Sequence, residues 1–485
     1  MAETLDLTLE NLDEALPHDL TEEQAARAKT LFLKRLALEA HRFYRGKLQT
    51  VPKAGLFGFN WFNVWYTPGV SAISTGIRDD IDASYELSNR GNFVAVVSDS
   101  TRVLGDGNVT PSGGLGVMEG KAFLMKILGG IDATPLCIDS RDANGEHSAD
   151  RIIDFVRMVQ PSFGAVNLED ISQPNCFKVL DTLRETCDIP VWHDDAQGTA
   201  CVTLAGLVNA LKLVGKPLEE ARMVLLGAGA SNTTIARIIL AAGGDPARMV
   251  VFDSRGGLHK GRVDIETDPR FYRKWELCQQ TNPDRINDFD TAMTGADVLI
   301  AASRPGPGVV KPASVGRMAS KSIVFACANP VPEIYPYEAK EAGATIVATG
   351  RGDFPNQVNN SVGFPGILKG ALLVRARAIS DGMTIAAAQS LASFAEARGI
   401  DSENIIARMD ERAVFPTVAA DVAMQAVAEG LARVTLTREE AYAQAEADID
   451  AAQRTAELLV EEGLIATPPQ AMLQAALDWA VEQVR

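Results

Sequence analysis

Histidine and cysteine are both scarce in this chain. Its five histidines, His18, His41, His147, His193 and His259, never pair at i, i+3 or i+4, which leaves a His-rich zinc site little to be built from. The six cysteines, Cys137, Cys176, Cys187, Cys201, Cys278 and Cys327, show no C-x-x-C spacing. The stretch Met1-Ala-Glu-Thr-Leu-Asp6 has neither the basic n-region nor the apolar h-region of a secretory signal, so a cytoplasmic location is expected. Any metal should be a hard, oxygen-bound ion.

Positive charge is also in deficit. Against 63 Asp and Glu stand 46 Lys and Arg, a net charge of -17 that excludes nucleic acid and anionic membrane as expected partners. A small anionic substrate is repelled by the same field, so its pocket must carry its own local cations or a metal. Hydrophobic residues at 46% and charged residues at 22% exclude the compositions of disordered and membrane proteins. A chain of 485 residues exceeds what one core keeps compact, and two or three domains are expected.

What is there alternates. Residues 1 to about 50 read as helical, with Thr21 as N-cap and Gln24 as its capping-box partner before the run Ala25 to Ala40. Val51 to Tyr66 turns abruptly to Gly, Phe, Trp and Asn, an irregular packed segment and a boundary. Beyond it, the runs 93–98, 134–138, 165–168 and 191–192 alternate with helical stretches near 117–128, 150–159 and 175–186, which means βαβ units and a parallel sheet. A helix over 199–214 leads to a second set: runs 223–226, 249–252, 298–301, 323–326 and 345–348, with a helix over 233–242. After Pro365 the chain is Ala-rich and helical. The expected fold class is α/β, with two parallel-sheet domains, one of them Rossmann-like, and helical N- and C-terminal segments.

Met223-Val-Leu-Leu-Gly227-Ala-Gly229-Ala230-Ser231-Asn232 is a buried strand entering a glycine turn and then a helix. There, backbone amides can approach a pyrophosphate at the helix N-terminus. Asp253 closes the second strand 21 residues past Asn232, near the ~20 expected of a carboxylate that holds a ribose hydroxyl. Asn232 replaces the third glycine, which keeps helix and strand further apart. Ser254 and Arg255, following Asp253, suit a 2'-phosphate, whereas Asp253 suits the free hydroxyl; NADP or NAD is expected, with a lean to NADP.

Two acidic pairs, Glu169-Asp170 and Asp194-Asp195, end apolar strands. Ligands of open parallel sheets bind outside the carboxyl ends of strands, so these oxygens can converge on Mg²⁺ or Mn²⁺ with positions left for substrate. Acidic pairs at strand ends also serve as N-caps and first-turn charges, and His193 reads as a hydrogen-bonded structural histidine.

At these residues the chain resembles the malic enzyme family. Tyr66-Thr-Pro-Gly-Val70, Gly91 to Asp99, Met118-Glu-Gly-Lys121, Asn167 to Asp170, His193 to Ala200, Gly227-Ala-Gly229, Ala328 to Tyr335 and Phe354 to Asn360 follow in that family's order, over roughly residues 60 to 370. The resemblance is to the short bacterial type without a phosphotransacetylase-like domain. It implies a domain of residues 67–193 completed by 361–430 for substrate and metal, and 194–360 for NAD(P). Residues 1–66 then form a helical arm and irregular segment, and 431–485 the C-terminal helices.

The implied reaction is divalent-metal-dependent oxidative decarboxylation of L-malate to pyruvate and CO₂ with reduction of NAD(P). Glu169, Asp170 and Asp195 would hold the metal. Lys121 would take the C2 hydroxyl proton, which requires burial or the metal to depress its pKa. Tyr66 would protonate C3, with Asp194 beside the lysine. Arg102 resembles the arginine that clamps a substrate carboxylate in larger members; Asn329 and Asn360 resemble residues holding substrate and nicotinamide, and Asn359 joins Gly227, Gly229, Ala230 and Ser231 at the cofactor. A homodimer or tetramer is implied. Gly105 to Gly114 departs from the family's run and adds Asp106, so a relative of malate stays open as substrate. Two other readings stand beside this one: a malolactic-type lyase with no net redox change, and a non-catalytic nucleotide-binding regulatory protein.

Overall fold

The computed structural model describes residues 4–103 and 105–485; the first three residues of the N-terminal stretch and Leu104, just before the Gly105–Gly114 run, lie outside the described residues. The chain divides into two compact units, one of residues up to Lys53 with Ala452–Arg485, the other Ala54–Ala451.

In the first unit the two ends of the chain pack on each other. Helix Glu22–Tyr44 starts at Thr21, whose side chain accepts from Gln24 N while Gln24 accepts from Thr21 N, the expected capping box. Its buried Ala28 and Phe32 meet Leu473, Ala476, Leu477 and Ala480 of helix Gln470–Glu482. Gln24 Nε2 reaches Val484 O at 2.9 Å. The sequence marks both helices, but nothing local tells one that its partner lies some 440 residues away.

The larger unit carries two sheets. Strands β1 (Phe93–Ser98), β2 (Asp132–Cys137), β3 (Ala165–Leu168) and β4 (Val191–His193) form an all-parallel sheet of order β2-β1-β3-β4. Strands β5 (Met223–Leu226), β6 (Met249–Asp253), β7 (Gly256–Gly257), β8 (Val298–Ala301), β9 (Ile323–Ala326) and β10 (Ile346–Thr349) form the second, of order β10-β9-β8-β5-β6-β7. Only β7 runs antiparallel. The second order is that of a dinucleotide-binding sheet, reversing between β5 and β8; the first sheet reverses between β1 and β3. These reversals place the crevices where ligands bind.

Successive side chains of each strand enter different cores, as parallel strands covered on both faces require. Val94 and Val96 join the apolar cluster of Leu225, Ile300 and Phe325, while Ala95 and Val97 pack with helices Ala149–Val159 and Asn175–Thr186. On the second sheet, Val224, Leu299 and Val324 belong to a third cluster. Helix Thr199–Val214 is apolar around most of its circumference and packs against helices Ala230–Ala241 and Asp381–Arg398. The run Asp194–Val214 is long and apolar enough to cross a membrane, but 72% of it is buried inside the protein, which accounts for its composition.

One expectation shifts, and one strand is added to those expected. The helix after the glycine turn begins at Ala230, three residues before the expected Thr233, because the turn feeds straight into it. The edge strand β7 is a glycine pair with no strand propensity, held by pairing with Phe252 and Asp253.

Replacing Thr21 by Ala removes one half of the capping box and costs about 1 kcal/mol in the first unit; amide exchange in the first turn of helix Glu22–Tyr44 should accelerate accordingly, with exchange in β5 and β8 unchanged.

Candidate active site

The carboxyl ends of β3 and β4 bring the acidic pairs together. One oxygen each of Glu169, Asp170 and Asp195 lies within 4.8 Å of the others, with Glu169 and Asp170 buried. Asp170 N donates to Asp195 Oδ2 at 2.8 Å, and Asp170 sits at φ 54°, a left-handed conformation tolerated by Asp and Asn more than by other side chains. Glu169 Oε2 accepts from Asn167 Nδ2 at 2.9 Å. After β4 the chain opens a wide π turn over Asp194–Gly198 before helix Thr199–Val214, a local widening often found at functional sites. Asp194 Oδ1 accepts from Trp192 Nε1 at 3.1 Å, and a Cβ at Gly198 would collide with that oxygen. The strand-end carboxylates are thus held by bonds from residues within three positions and across the sheet.

Lys121 reaches this cluster from helix Leu115–Gly129. Its side chain is only 16% exposed, with Nζ 3.1 Å from Glu169 Oε1 and hydrogen bonded to Asp194 Oδ2. Burial by itself lowers the ammonium pKa, but the charges of Asp194, Glu169 and Asp195 outweigh it and hold the group above its ordinary range. The expected depression is therefore reversed: three carboxylates outweigh the burial of one ammonium. Burial pushes the Glu169 carboxyl well above the usual range, Lys121 opposing it and Asp195, Asp194 and Asp170 adding to it. Buried carboxylates so crowded call for added positive charge. Three oxygen donors, close-set and carrying surplus negative charge, fit a hard divalent cation.

His193 departs from its expected role. It is fully buried, neither ring nitrogen has a hydrogen-bond partner among the described residues, and Nδ1 stands 3.7 Å from Asp195 Oδ2. Burial lowers its pKa.

A cleft of about 1090 Å³ joins the carboxylates to the glycine turn, lined by Arg102, Lys121, Glu169, Asp170, Asp195, Gly227, Ala228, Gly229, Ala230, Ser231, Asp253, Ser254, Asn329, Asn359 and Asn360 among others. Gly227 is at φ 102°, and a Cβ there would lie 2.4 Å from Ala302 O; the reversal between β5 and β8 admits only glycine. Asn232, expected to hold helix and strand apart, ties them together instead: it is buried and its Nδ2 donates to Leu226 O at 2.9 Å and to Ile300 O at 3.3 Å. Ser231 Oγ donates to Asp195 O at 3.0 Å, so the turn and the carboxylate cluster are hydrogen bonded directly.

Other expected residues are placed differently. Asp253 lines the cleft, but both its oxygens accept from Arg262, at 3.0 and 2.8 Å, and Oδ1 also accepts from Arg255 N. The Arg255 side chain is 72% exposed, pairs with Asp264 and is not among the cleft walls; Lys274, which no local motif marks, lines the cleft instead. Asn360 faces the cleft, yet its Nδ2 donates to Asp194 O and Oδ2, both at 3.1 Å, so it holds the partner of Lys121. Asp106 is exposed and absent from the cleft walls, its segment turned toward Ser100 and His147 through Val109 N and Asn108 Nδ2. Tyr66 is 71% exposed and is likewise absent from the walls.

Sequence reading also passed over Glu333, although it lies in the Ala328–Tyr335 motif. Fully buried, it accepts from Ser303 N at 2.7 Å and Ala328 N at 3.0 Å and so joins two loops that line the cleft.

Residues 59–184 match the family described as malic enzyme, N-terminal domain, and residues 196–427 that described as malic enzyme, NAD binding domain. The chain belongs to the malic enzyme family. It is 42% identical over 409 residues to a bifunctional malic/malolactic enzyme of Bacillus subtilis, covering 84% of this chain and 96% of that one. An NAD-dependent malic enzyme of Geobacillus stearothermophilus is 42% identical over 396 residues, 81% of this chain and 78% of the relative. Among solved structures, the malic enzyme of Entamoeba histolytica superposes with a TM-score of 0.96 at 63% identity over 99% of both chains. That of Pyrococcus horikoshii does so with 0.81 at 43% identity, over 92% of this chain and all of that one. Both α/β layers and the dinucleotide-binding sheet are thus those of a malic enzyme.

Asn232→Gly would restore the commoner glycine pattern of dinucleotide-binding turns and leave Leu226 O and Ile300 O without this donor. It should cost about 1–3 kcal/mol in urea denaturation, where a spacing defect at Asn232 would make the same change stabilising.

Proposed function

We propose that this malic enzyme oxidises L-malate at C2 with a nicotinamide dinucleotide and releases CO₂ to give pyruvate. The observation that carries the reading is Lys121 set against the Glu169–Asp170–Asp195 cluster in one cleft with the Gly227–Ser231 turn. We assign substrate and metal to 67–193 with 361–430, and NAD(P) to 194–360; cytoplasmic residence accords with six cysteines that are all free.

The chain's own groups divide the work. Gly227, Gly229, Ala230 and Ser231 offer the pyrophosphate close backbone and a helix N-terminus, and Asn329 and Asn359 hold the nicotinamide end. Arg102 and Asn329 bind substrate carboxylate. Lys121 accepts the C2 hydroxyl proton while Asp194, held by Trp192 and Asn360, fixes the amine in place. Mg²⁺ or Mn²⁺, held by Glu169, Asp170 and Asp195, would supply Lewis acidity toward the C2 oxygen and cancel the charge that otherwise keeps Lys121 protonated. The proton for C3 after CO₂ leaves is assigned to Tyr66, which in the described chain stands outside the cleft walls.

NADP is the cofactor the charges favour. Arg262 neutralises Asp253 on both oxygens, so this carboxylate neither seeks a free ribose hydroxyl nor repels a 2'-phosphate, and Ser254 and Lys274 stand beside it in the cleft. That a Bacillus subtilis relative is a bifunctional malic/malolactic enzyme supports a second activity on the same residues, release of lactate from malate with no net redox change.

The purified chain, mixed with L-malate, Mn²⁺ and NADP, should show a rise in reduced-nicotinamide absorbance with equimolar pyruvate, abolished by EDTA. Lactate without the rise identifies the lyase. Lys121→Ala should bind NADP as the parent does and lose turnover; retained turnover, or a parent that only binds nucleotide, overturns the assignment. Lys274→Ala should raise KM for NADP by roughly tenfold, the worth of one ~1.4 kcal/mol contact, and leave that for NAD unchanged.

A further inference from the structure

A second cavity, of about 320 Å³, lies in the larger unit between three helices and shares no wall residue with the cleft. Helix Ala230–Ala241 contributes Thr233 and Arg237, helix Asn175–Thr186 Phe177 and Leu180, and helix Tyr272–Gln280 Arg273 and Leu277. Residues three and four apart share a face of a helix, so each helix turns one stripe inward. Phe177, Leu180 and Leu277 are buried and make one side of the cavity hydrocarbon.

The polar side chains do not satisfy one another. Arg273 is fully engaged: its Nε and Nη2 donate to the two oxygens of Asp181 at 3.0 and 2.6 Å, and its Nη1 to Glu276 Oε2 at 2.9 Å. Arg237 is not. Its Nη1 donates to Asp381, while its Nε and Nη2 have no acceptor among the described residues. Asp381 is shared as well, with Arg184 Nη1 standing 3.5 Å from its other oxygen. Two guanidiniums thus divide one carboxylate, and positive charge is in surplus beside the cavity. Burial lowers the pKa of Arg237; Asp381 opposes this, and Arg273 and Arg184 add to it. Thr233 is 3% exposed, and its hydroxyl has no hydrogen-bond partner among the described residues. Buried side-chain donors are paired as a rule, and a guanidinium in surplus is best met by an anion.

We propose that this cavity binds a short-chain monocarboxylate, and that its occupancy is coupled to the cleft. The head group takes the open N–H groups of Arg237 and the hydroxyl of Thr233, and the chain lies against Phe177, Leu180 and Leu277. Charge, walls and size choose this ligand. The surplus of two guanidiniums over one carboxylate suits a single negative charge. The hydrocarbon side disfavours inorganic phosphate and other anions that are polar all round. A volume of about 320 Å³ lies at the small end of ligand pockets, so the chain is short.

Coupling follows from where the helices begin. Helix Ala230–Ala241 starts in the glycine turn, and helix Asn175–Thr186 follows directly on the run Glu169–Gln173 that lines the cleft. A body seated between the two helices fixes their spacing, and with it the register of the turn on the carboxylates, where Ser231 bonds Asp195. A ligand that binds this spacing stabilises it. The dinucleotide, which uses the same spacing, then binds more tightly, and by reciprocity so does the carboxylate. The coupling, though not the binding, rests on the reading above that the glycine turn holds a dinucleotide.

Equilibrium dialysis of the purified chain against labelled butyrate is the test. A saturable site is expected that Arg237→Gln weakens about tenfold or more, the worth of a lost charged contact. Ala241→Trp, at the exposed rim of the cavity, should abolish binding and serves if Arg237→Gln does not fold. No saturable binding overturns the proposal. So does binding that Arg102→Ala removes and Arg237→Gln leaves, which would place butyrate in the cleft. Butyramide and inorganic phosphate should compete poorly; equal competition by the amide denies the charge its role, equal competition by phosphate denies the hydrocarbon wall its role, and either overturns the ligand class. Saturating butyrate should tighten NADP binding about threefold, and NADP should tighten butyrate binding by the same factor. Bound butyrate with no change in NADP affinity overturns the coupling. A chain that binds butyrate and neither NADP nor NAD fails the reading of the glycine turn instead, a separate failure.

Discussion

Four clustered carboxylates, three of them acting on one ammonium, are an electrostatic burden, and much of the larger unit is arranged to carry it. Asp194 is fully buried and is hydrogen bonded by an indole, an amide and an amine, while Glu169 leans on Asn167. Removing any one donor would leave part of that buried charge unsatisfied, which is costly in so enclosed a site. The crowding also explains why small Gly198 follows the turn after β4, since a Cβ there would collide with Asp194 Oδ1.

The site also separates what was legible in the sequence from what was not. Glu169, Asp170 and Asp195 were readable because each ends an apolar strand, and parallel sheets collect such ends on one edge. The glycine turn was readable because strand, turn and helix lie consecutively in the chain. Arg262 and Lys274 were not, since each meets Asp253 or the cleft only after the chain has folded back, and neither sits in a pattern with period or motif. Asn232 shows a different limit: the substitution of a glycine reads as lost closeness, yet its amide finds two carbonyls that belong to different strands.

The segment of Tyr66 and the terminal helices mark the limit of reading a stretch of sequence by itself. The composition of Val51 to Tyr66 suggests a packed segment, and its rings do pack, though largely against each other. The helix at the N-terminus reads as an arm until Gln470–Glu482 is seen against it. In both cases the apolar face is evident in sequence and the identity of what meets it is not.

The hydrogen bond from Ser231 to the backbone of Asp195 has a thermodynamic consequence. One terminus of the helix after the glycine turn and the carboxylate-bearing turn after β4 share an atom pair, so a displacement that settles either is felt by the other. Coupling of this kind is reciprocal: by whatever factor an occupied carboxylate cluster alters affinity for the dinucleotide, an occupied glycine turn alters affinity at the carboxylates by the same factor. The order in which the two sites fill then affects the route and not the sum.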